Sequence, residues 1–137
     1  MSTATGPSAL VALDELVALL TPAGWPVLSA PSSRIATTPA VLVEPADPFA
    51  EASTIAGFWT CRYRVHVLAA RLDNDATMRT AIDALSQLAP RVQRAPAWSV
   101  EPIGPMGMIT IAGQDAPYYG GAFVASTLTR WEVRPDA

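Results

Sequence analysis

The stretch FWTCRYRVHVLAA, residues 58–70, decides the fold of this chain. From Trp59 onward its odd positions are apolar, whereas the even positions from 60 to 66 are Thr, Arg, Arg and His. Such alternation predicts a β-strand with one apolar and one polar face. At about 3.3 Å per residue, eleven residues reach about 36 Å, enough to cross a domain of this size. We therefore expect a central strand that is apolar toward helices and basic on its other face.

Two segments have apolar residues at helical spacing, one before and one after this strand. The first starts after Ser8 and ends before Pro22, and its predicted apolar face comprises Leu10, Leu13, Leu16, Val17 and Leu20. The second follows the capping residues Asp73, Asn74 and Asp75. Its predicted apolar face comprises Met78, Ile82, Leu85, Leu88 and Val92.

The remaining chain predicts further strands separated by loops. The predicted strands are a short one around Val27 and Leu28, a central one at 40–45, and three at 98–103, 106–112 and 122–133. Residues 45–57 predict a long loop and residues 112–121 predict a turn, since both stretches hold proline and glycine without a sustained period. We expect a single α+β domain over residues 1–137, a mainly antiparallel β-sheet with two α-helices packed on one face, and a flexible start at 1–7.

The composition argues against a protein that binds nucleic acid independently of its sequence. Only 15% of the 137 residues are charged, and the formal net charge is −3. Sequence-independent binding to phosphates depends on clustered excess positive charge. A low charged fraction instead favours a chain that buries part of its surface against other proteins.

The cysteine content and the N-terminus indicate where the chain folds. Cys61 is the single cysteine and lies in the apolar row of the central strand, so we expect a buried hydrophobic residue rather than a reactive thiol. The first ten residues lack the pattern of a signal peptide, and no apolar run approaches the roughly 20 residues that span a bilayer. We expect folding in a cytoplasm and no membrane partner.

The sequence contains no Gly-x-Ser-x-Gly elbow, P-loop, His-Glu-x-x-His or paired Cys-x-x-Cys motif. His66 is the single histidine, so acid-base and metal schemes that need two are excluded, and we expect it on a solvated or interfacial sheet face. Asp73 and Asp75 are better explained as a helix start than as a calcium loop. Gly120 and Gly121 precede a β-rich stretch, which favours a turn over a phosphate loop. The four tryptophans are scattered, as core or interface anchors are, rather than grouped as a base-stacking platform. Because the sequence shows no catalytic constellation, we expect a protein that is not an enzyme.

The order of these features resembles the tail terminator, or tail-completion, proteins of long-tailed bacteriophages, especially those infecting GC-rich actinobacteria. The resemblance covers most of the chain and is one of pattern. The stretches that carry it are SALVALDELVALLTPAG (8–24), AVLVEPAD (40–47), WTCRYRVHVLAA (59–70), RLDND (71–75), ATMRTAIDALSQLAP (76–90) and a final strand pair.

The resemblance implies a structural virion protein without cofactors. Such subunits close into a hexameric ring at the head-proximal end of the tail tube, where they stop tube growth and join the tail to the head connector. The implied partners are other copies of the chain, the tail-tube protein and connector proteins, with DNA passing through unrecognised. Assembly would take place in the host bacterial cytoplasm.

The resemblance also implies roles for particular residues. Arg62, Arg64 and His66 would meet a neighbouring subunit or line the inner wall of the ring. The loop at 45–57, with Phe49 and Ile55, and the turn at 112–121, with Tyr118 and Tyr119, would contact the tube or the connector.

Two alternative readings remain open from the sequence. The first is another neck, connector or minor tail protein of the same virion, because these are also small α+β ring formers. The second is a cytoplasmic binding module outside any virus, or a small enzyme whose site forms between subunits. Genomic position discriminates them, since a gene between the head-completion genes and the major tail-tube gene favours the terminator.

Overall fold

The computed structural model describes residues 7–29, 38–111 and 116–132, and within them it has an α+β fold with a six-stranded, mostly antiparallel sheet and two helices. This confirms the predicted fold class. The helices are α1 (Ala9–Leu20) and α2 (Asp75–Gln93), and a 3-10 turn (Thr21–Ala23) follows α1. The strands are β1 (Val27–Leu28), β2 (Ala40–Ala52), β3 (Phe58–Ala70), β4 (Trp98–Val100), β5 (Gly107–Ile109) and β6 (Tyr118–Arg130).

Strand β3 lies at the centre of the sheet, as its sequence predicts. The strand order is β1-β2-β3-β6-β4, and β5 also pairs with β6. Strand β3 pairs with β2 on one side and with β6 on the other, from Phe58 opposite Arg130 to Ala70 opposite Tyr119. Every pairing is antiparallel except that of β1 with β2.

The main core lies between the sheet and the two helices. The apolar row of β3 contributes Cys61, Tyr63, Val65 and Val67 to a cluster that also contains residues of α1 and α2. This confirms the predicted apolar face and the burial of Cys61. The Tyr63 hydroxyl donates to the Ala9 carbonyl oxygen at 2.6 Å. Burial raises the pKa of the Tyr63 phenol well above its ordinary value, so the hydroxyl keeps the proton that it donates.

Helix α1 begins at a capping serine, whose side chain accepts from the Val11 amide. Leu16 and Leu20 are fully buried as expected, but Leu10 is 74% exposed. The predicted apolar face is therefore wrong for Leu10. The physical reason is that the buried face is centred on Ala12 and Leu16, which places Leu10 on the other side of a helix with 3.6 residues per turn.

Helix α2 begins at Asn74, whose side-chain oxygen accepts from the Thr77 amide. Its buried face includes Ala81 and Ala84, small residues that allow close packing against the sheet. Met78 and Ile82, predicted on the buried face, are instead exposed at its border. Helix α2 continues past Pro90 to Gln93, so the proline does not end it.

The predicted loop at 45–57 is wrong for residues 45–52, which continue strand β2. Pro45 lies opposite Tyr63, and Ala50 lies opposite Cys61. Four residues of β2, 46–49, therefore face a single residue of β3. Pro48 lies in this β-bulge and Pro45 in the last ladder pair before it. An edge strand tolerates proline at such positions, but local preferences alone predict a loop. The connection to β3 is short and contains Gly57 at a φ of 86°.

The C-terminal third is strand-rich as predicted, with different bounds. Strands β4 and β5 are shorter than the predicted 98–103 and 106–112, and β6 starts at Tyr118 rather than at 122. The turn predicted at 112–121 is therefore wrong for 118–121, and residues 112–115 lie outside the described part. The flexible start predicted at 1–7 likewise lies outside it except for Pro7, whose carbonyl oxygen accepts from the Arg130 amide at 2.9 Å.

Candidate interaction surfaces

The polar row of β3 lies on the sheet face opposite the helices. Its first basic residue, Arg62, binds Glu101 through two hydrogen bonds, at 2.8 Å from Nε and 3.0 Å from a terminal nitrogen. A third bond runs to the Pro48 carbonyl oxygen at 2.9 Å. The guanidinium lowers the pKa of the Glu101 carboxyl through this hydrogen bonding. Arg62 therefore links β3 to the bulge of β2 and to the segment after β4.

Arg64, the second basic residue of the row, differs from Arg62 in its contacts. It lies opposite Glu44 of β2 and Val124 of β6. Within residues 7–29, 38–111 and 116–132, its side chain forms no hydrogen bond and no ion pair. Arg64 is half-buried, so part of the residue is open to solvent.

His66 is buried, which contradicts its predicted place on a solvated or interfacial face. Its side chain is in hydrogen-bond contact with Glu44, Nε2 to Oε1 at 2.6 Å, while its Nδ1 is buried without a partner. The physical reason is a second apolar cluster on this end of the face, containing Leu42, Leu68, Ile111 and Tyr118. Leu42 lies directly opposite His66 in the ladder.

The environment of His66 disfavours its charged form. Burial lowers the pKa of the imidazole, the bond to Glu44 opposes that shift, and the nearby Arg64 charge adds to it. Together these effects lower the pKa of His66. His66 is therefore neutral at neutral pH, and the basic row of β3 carries positive charge at Arg62 and Arg64.

We expect the protein to lose stability in mild acid through His66. The folded pKa lies below the unfolded value of about 6.5, so the unfolded chain takes up a proton first as the pH falls. The contribution of neutral His66 to the free energy of unfolding is present above about pH 6.5 and is lost as the pH falls toward the folded pKa. The free energy of unfolding then falls by at most about 1.4 kcal/mol per pH unit. Urea unfolding between pH 8 and pH 5 should show this slope in the wild type and a shallower one in His66→Gln. If the free energy of unfolding depended on pH equally in the two proteins, this expectation would be contradicted.

The four residues predicted in docking loops lie in different environments. Phe49 is in β2 and packs edge-on against Tyr63, with ring centroids 5.3 Å apart. Ile55 is exposed in the β2–β3 connection, as a docking residue would be. Tyr118 and Tyr119 are buried in β6, one on each side of the sheet, so their predicted place in a docking turn is wrong.

Tyr118 has a structural contact that explains its burial. The Arg71 guanidinium lies over its ring, 4.4 Å from the centroid, and donates to its hydroxyl at 2.8 Å. This contact ties the end of β3 to the start of β6. Toward the N-terminus, the strand pattern of this segment stops at Gly121. The sequence therefore did not indicate that β6 begins at Tyr118, three residues before that glycine.

The tryptophans divide between core and surface. Trp98 is buried and donates from Nε1 to the Glu15 carboxylate at 2.8 Å. Trp59 and Trp131 stack at the end of the sheet, 4.8 Å between centroids, and Trp131 keeps an exposed edge. The sequence did not predict this pair, because the two residues come together only through the β3–β6 register.

Among the described residues, no group of three or more His, Cys, Asp or Glu side chains could hold a metal ion. None of the helices described is both long and apolar enough to cross a membrane. Comparison with protein-family models and with curated proteins gave no match.

Proposed function

We propose that this chain is a structural subunit of a bacteriophage virion, a tail terminator that forms a ring at the head-proximal end of the tail tube. The ring ends polymerisation of the tube and joins the tail to the head connector. The protein is not an enzyme in this proposal. Its partners are copies of itself, the tail-tube protein and connector proteins, and DNA passes through the ring.

The observation that carries the proposal is the distribution of exposed apolar side chains. Ten large hydrophobic residues of the described part are exposed, in a chain with 15% charged residues. They include Leu10 on α1, Ile82 on α2, Ile55 in the β2–β3 connection and Trp131 after β6. A subunit that meets neighbours on two flanks and a further partner at one end buries surfaces of this kind. The elements follow one another along the chain as helix, long hairpin, second helix and final strand. This order is the basis of the resemblance to tail terminators, and it is why we propose that assembly.

Substitution of Arg64 tests the proposed subunit or lumen interface. With Arg62 held by Glu101 and His66 buried, Arg64 is the residue of the basic row that is free to meet a neighbour or the ring lumen. Arg64→Gln should leave the unfolding free energy within about 0.5 kcal/mol of wild type, as for most surface substitutions. It should weaken ring closure or head–tail joining, measured by electron microscopy of assembled particles. Normal yields of joined virions from this variant would remove Arg64 from the interface.

The direct test of the role is loss of the gene product during infection. A stop codon in the gene should give full heads and separate tails, with tubes that vary in length beyond the normal value. Supplying the wild-type protein in trans should restore joined particles. Normal virions formed without the protein would contradict the proposed function.

A further inference from the structure

Beside helix α2 lies an apolar groove that no element of the main core fills. It is lined by Ile82, Leu85, Ser86, Ala89, Pro90, Ile103 and Met106. Ile82 is 50% exposed and Ile103 is 43% exposed, so apolar surface faces solvent on both walls. The groove lies on the flank of the helical layer next to β4 and β5, because its second wall is the segment that connects those two strands.

A basic recess adjoins this groove near the C-terminal end of helix α2. Arg91 and Arg94 line a recess that shares Ser86 and Pro90 with the groove. In the part of the chain that the structure describes, neither guanidinium has a hydrogen bond or an ion pair, and Arg91 Nε is buried without any partner. An unpaired guanidinium forms charge-assisted hydrogen bonds with a carboxylate, so this recess is suited to one.

Helix α1 carries a matching surface, which we name the α1 strip: Leu10, Val11 and Asp14. Leu10 is 74% exposed and Val11 is 53% exposed. Asp14 is exposed and has no hydrogen bond or ion pair among the described residues. Residues three and four apart are neighbours on a helix, so an apolar pair and a carboxylate lie side by side.

The groove and the strip lie on different flanks of one subunit. Leu10 borders a small apolar recess with Val43, Pro45 and Phe49 of β2, whereas the groove lies on the β4 and β5 side. In the sheet, β2 and β4 are separated by β3 and β6. A contact of strip with groove therefore joins two copies head to tail and leaves a free strip on one and a free groove on the other.

We infer that the α2 groove binds the α1 strip of a second copy of this chain, with Leu10 and Val11 against Ile82 and Ile103, and Asp14 against Arg91 and Arg94. The complementarity of apolar surface and of charge supports a second copy as the occupant. The inference rests on the proposed function in that copies meet in a closed ring, and it names the surfaces through which they meet.

Exchange of charges between the two surfaces tests this contact. Asp14→Arg places a cation against Arg91 and Arg94, and the double variant Arg91→Glu with Arg94→Glu places carboxylates against Asp14. Each protein alone should associate at least about tenfold more weakly than wild type, because like charges then face each other. A mixture of the two should regain association, since every contact between unlike copies is again complementary. The triple variant should also associate alone.

Sedimentation velocity over a concentration series up to about 1 mM provides the measurement, since a contact of about −4 kcal/mol is half formed there. Asp73→Arg and Arg79→Glu change exposed charges near the N-terminal end of α2, and these matched controls should associate as wild type. A wild type that stays monomeric at 1 mM, or a mixture that associates no better than its components, overturns the inference. Charge variants that keep wild-type association but lose binding to another virion protein assign the groove to that protein instead and also overturn it.

The outcomes separate this inference from the proposed function. If wild-type rings form and the charge variants close them equally well, the contact is wrong and the function stands. If the mixture regains association while virions assemble normally without the gene product, the contact stands and the function is wrong.

Discussion

Replacing Gly120 with alanine should lower the free energy of unfolding by at least about 3 kcal/mol. A Cβ atom built on Gly120 would lie 1.7 Å from the Val67 carbonyl oxygen, which belongs to the backbone of β3. A flexible side chain could move aside, but this oxygen is fixed by the sheet. Strands β3 and β6 would have to separate where Gly120 lies opposite Leu68. Urea unfolding followed by circular dichroism measures the effect.

The control is the glycine directly opposite on the other neighbouring strand. Gly107 of β5 pairs with Gly120, and a Cβ atom at Gly107 would meet nothing within 4 Å. Gly107→Ala should therefore change the unfolding free energy by no more than about 0.5 kcal/mol. Equal stability of the two variants would show that β3 and β6 do not approach as closely as described.

The second large effect is expected at Leu16 of α1. Its side chain is fully buried in the main core, so Leu16→Ala removes packed volume and should cost about 2–5 kcal/mol of unfolding free energy. Leu10→Ala on the same helix makes the identical chemical change at an exposed site. It should cost less than about 0.5 kcal/mol, again by urea unfolding.

This pair of leucines also separates folding from assembly. Leu10→Ala should weaken association between copies while the isolated subunit remains as stable as wild type, because Leu10 belongs to the α1 strip. If Leu10→Ala destabilised the monomer as much as Leu16→Ala, the orientation of α1 on the sheet would be wrong.

The central strand, and with it the sheet, was predictable because successive side chains of a strand point to opposite faces. In 58–70 the alternation of apolar and polar residues reports directly which side of a two-sided strand is buried. Helix positions were predictable from capping residues and spacing. The buried faces were predicted less well, because Leu10, Met78 and Ile82 are as apolar as residues in the core. Hydrophobicity alone does not tell which apolar residues an α+β core has room to cover.

Errors at the ends of strands have a different origin. Proline and glycine in 45–52 and 118–121 indicate turns when only local preferences are considered. In the structure Pro48 lies in a β-bulge that starts directly after Pro45, and Gly120 allows a close approach of two backbones. Both are tertiary effects, so a single sequence carries no local signal for them.

The candidate site was predicted in part. Alternation placed Arg62, Arg64 and His66 on one face correctly, but it could not show that Glu101, which is remote in sequence, binds Arg62. Nor could it show that an apolar cluster covers His66. The groove beside α2 escaped sequence analysis because it forms between a helix and a segment ten or more residues further along the chain.

The outer edge of β2 bears on how copies of this protein can join. Strand β1 pairs only with Val41 and Leu42, so within the described residues the rest of that edge has no neighbouring strand. Pro45 and Pro48 have no backbone amide hydrogen to offer there, and the bulge distorts the ladder between them. Continuous addition of strands, the route by which sheets grow into fibrils, is therefore blocked along this side. Copies of the chain that met along this edge would have to do so through side chains, and such contacts can limit an assembly to a fixed number of members.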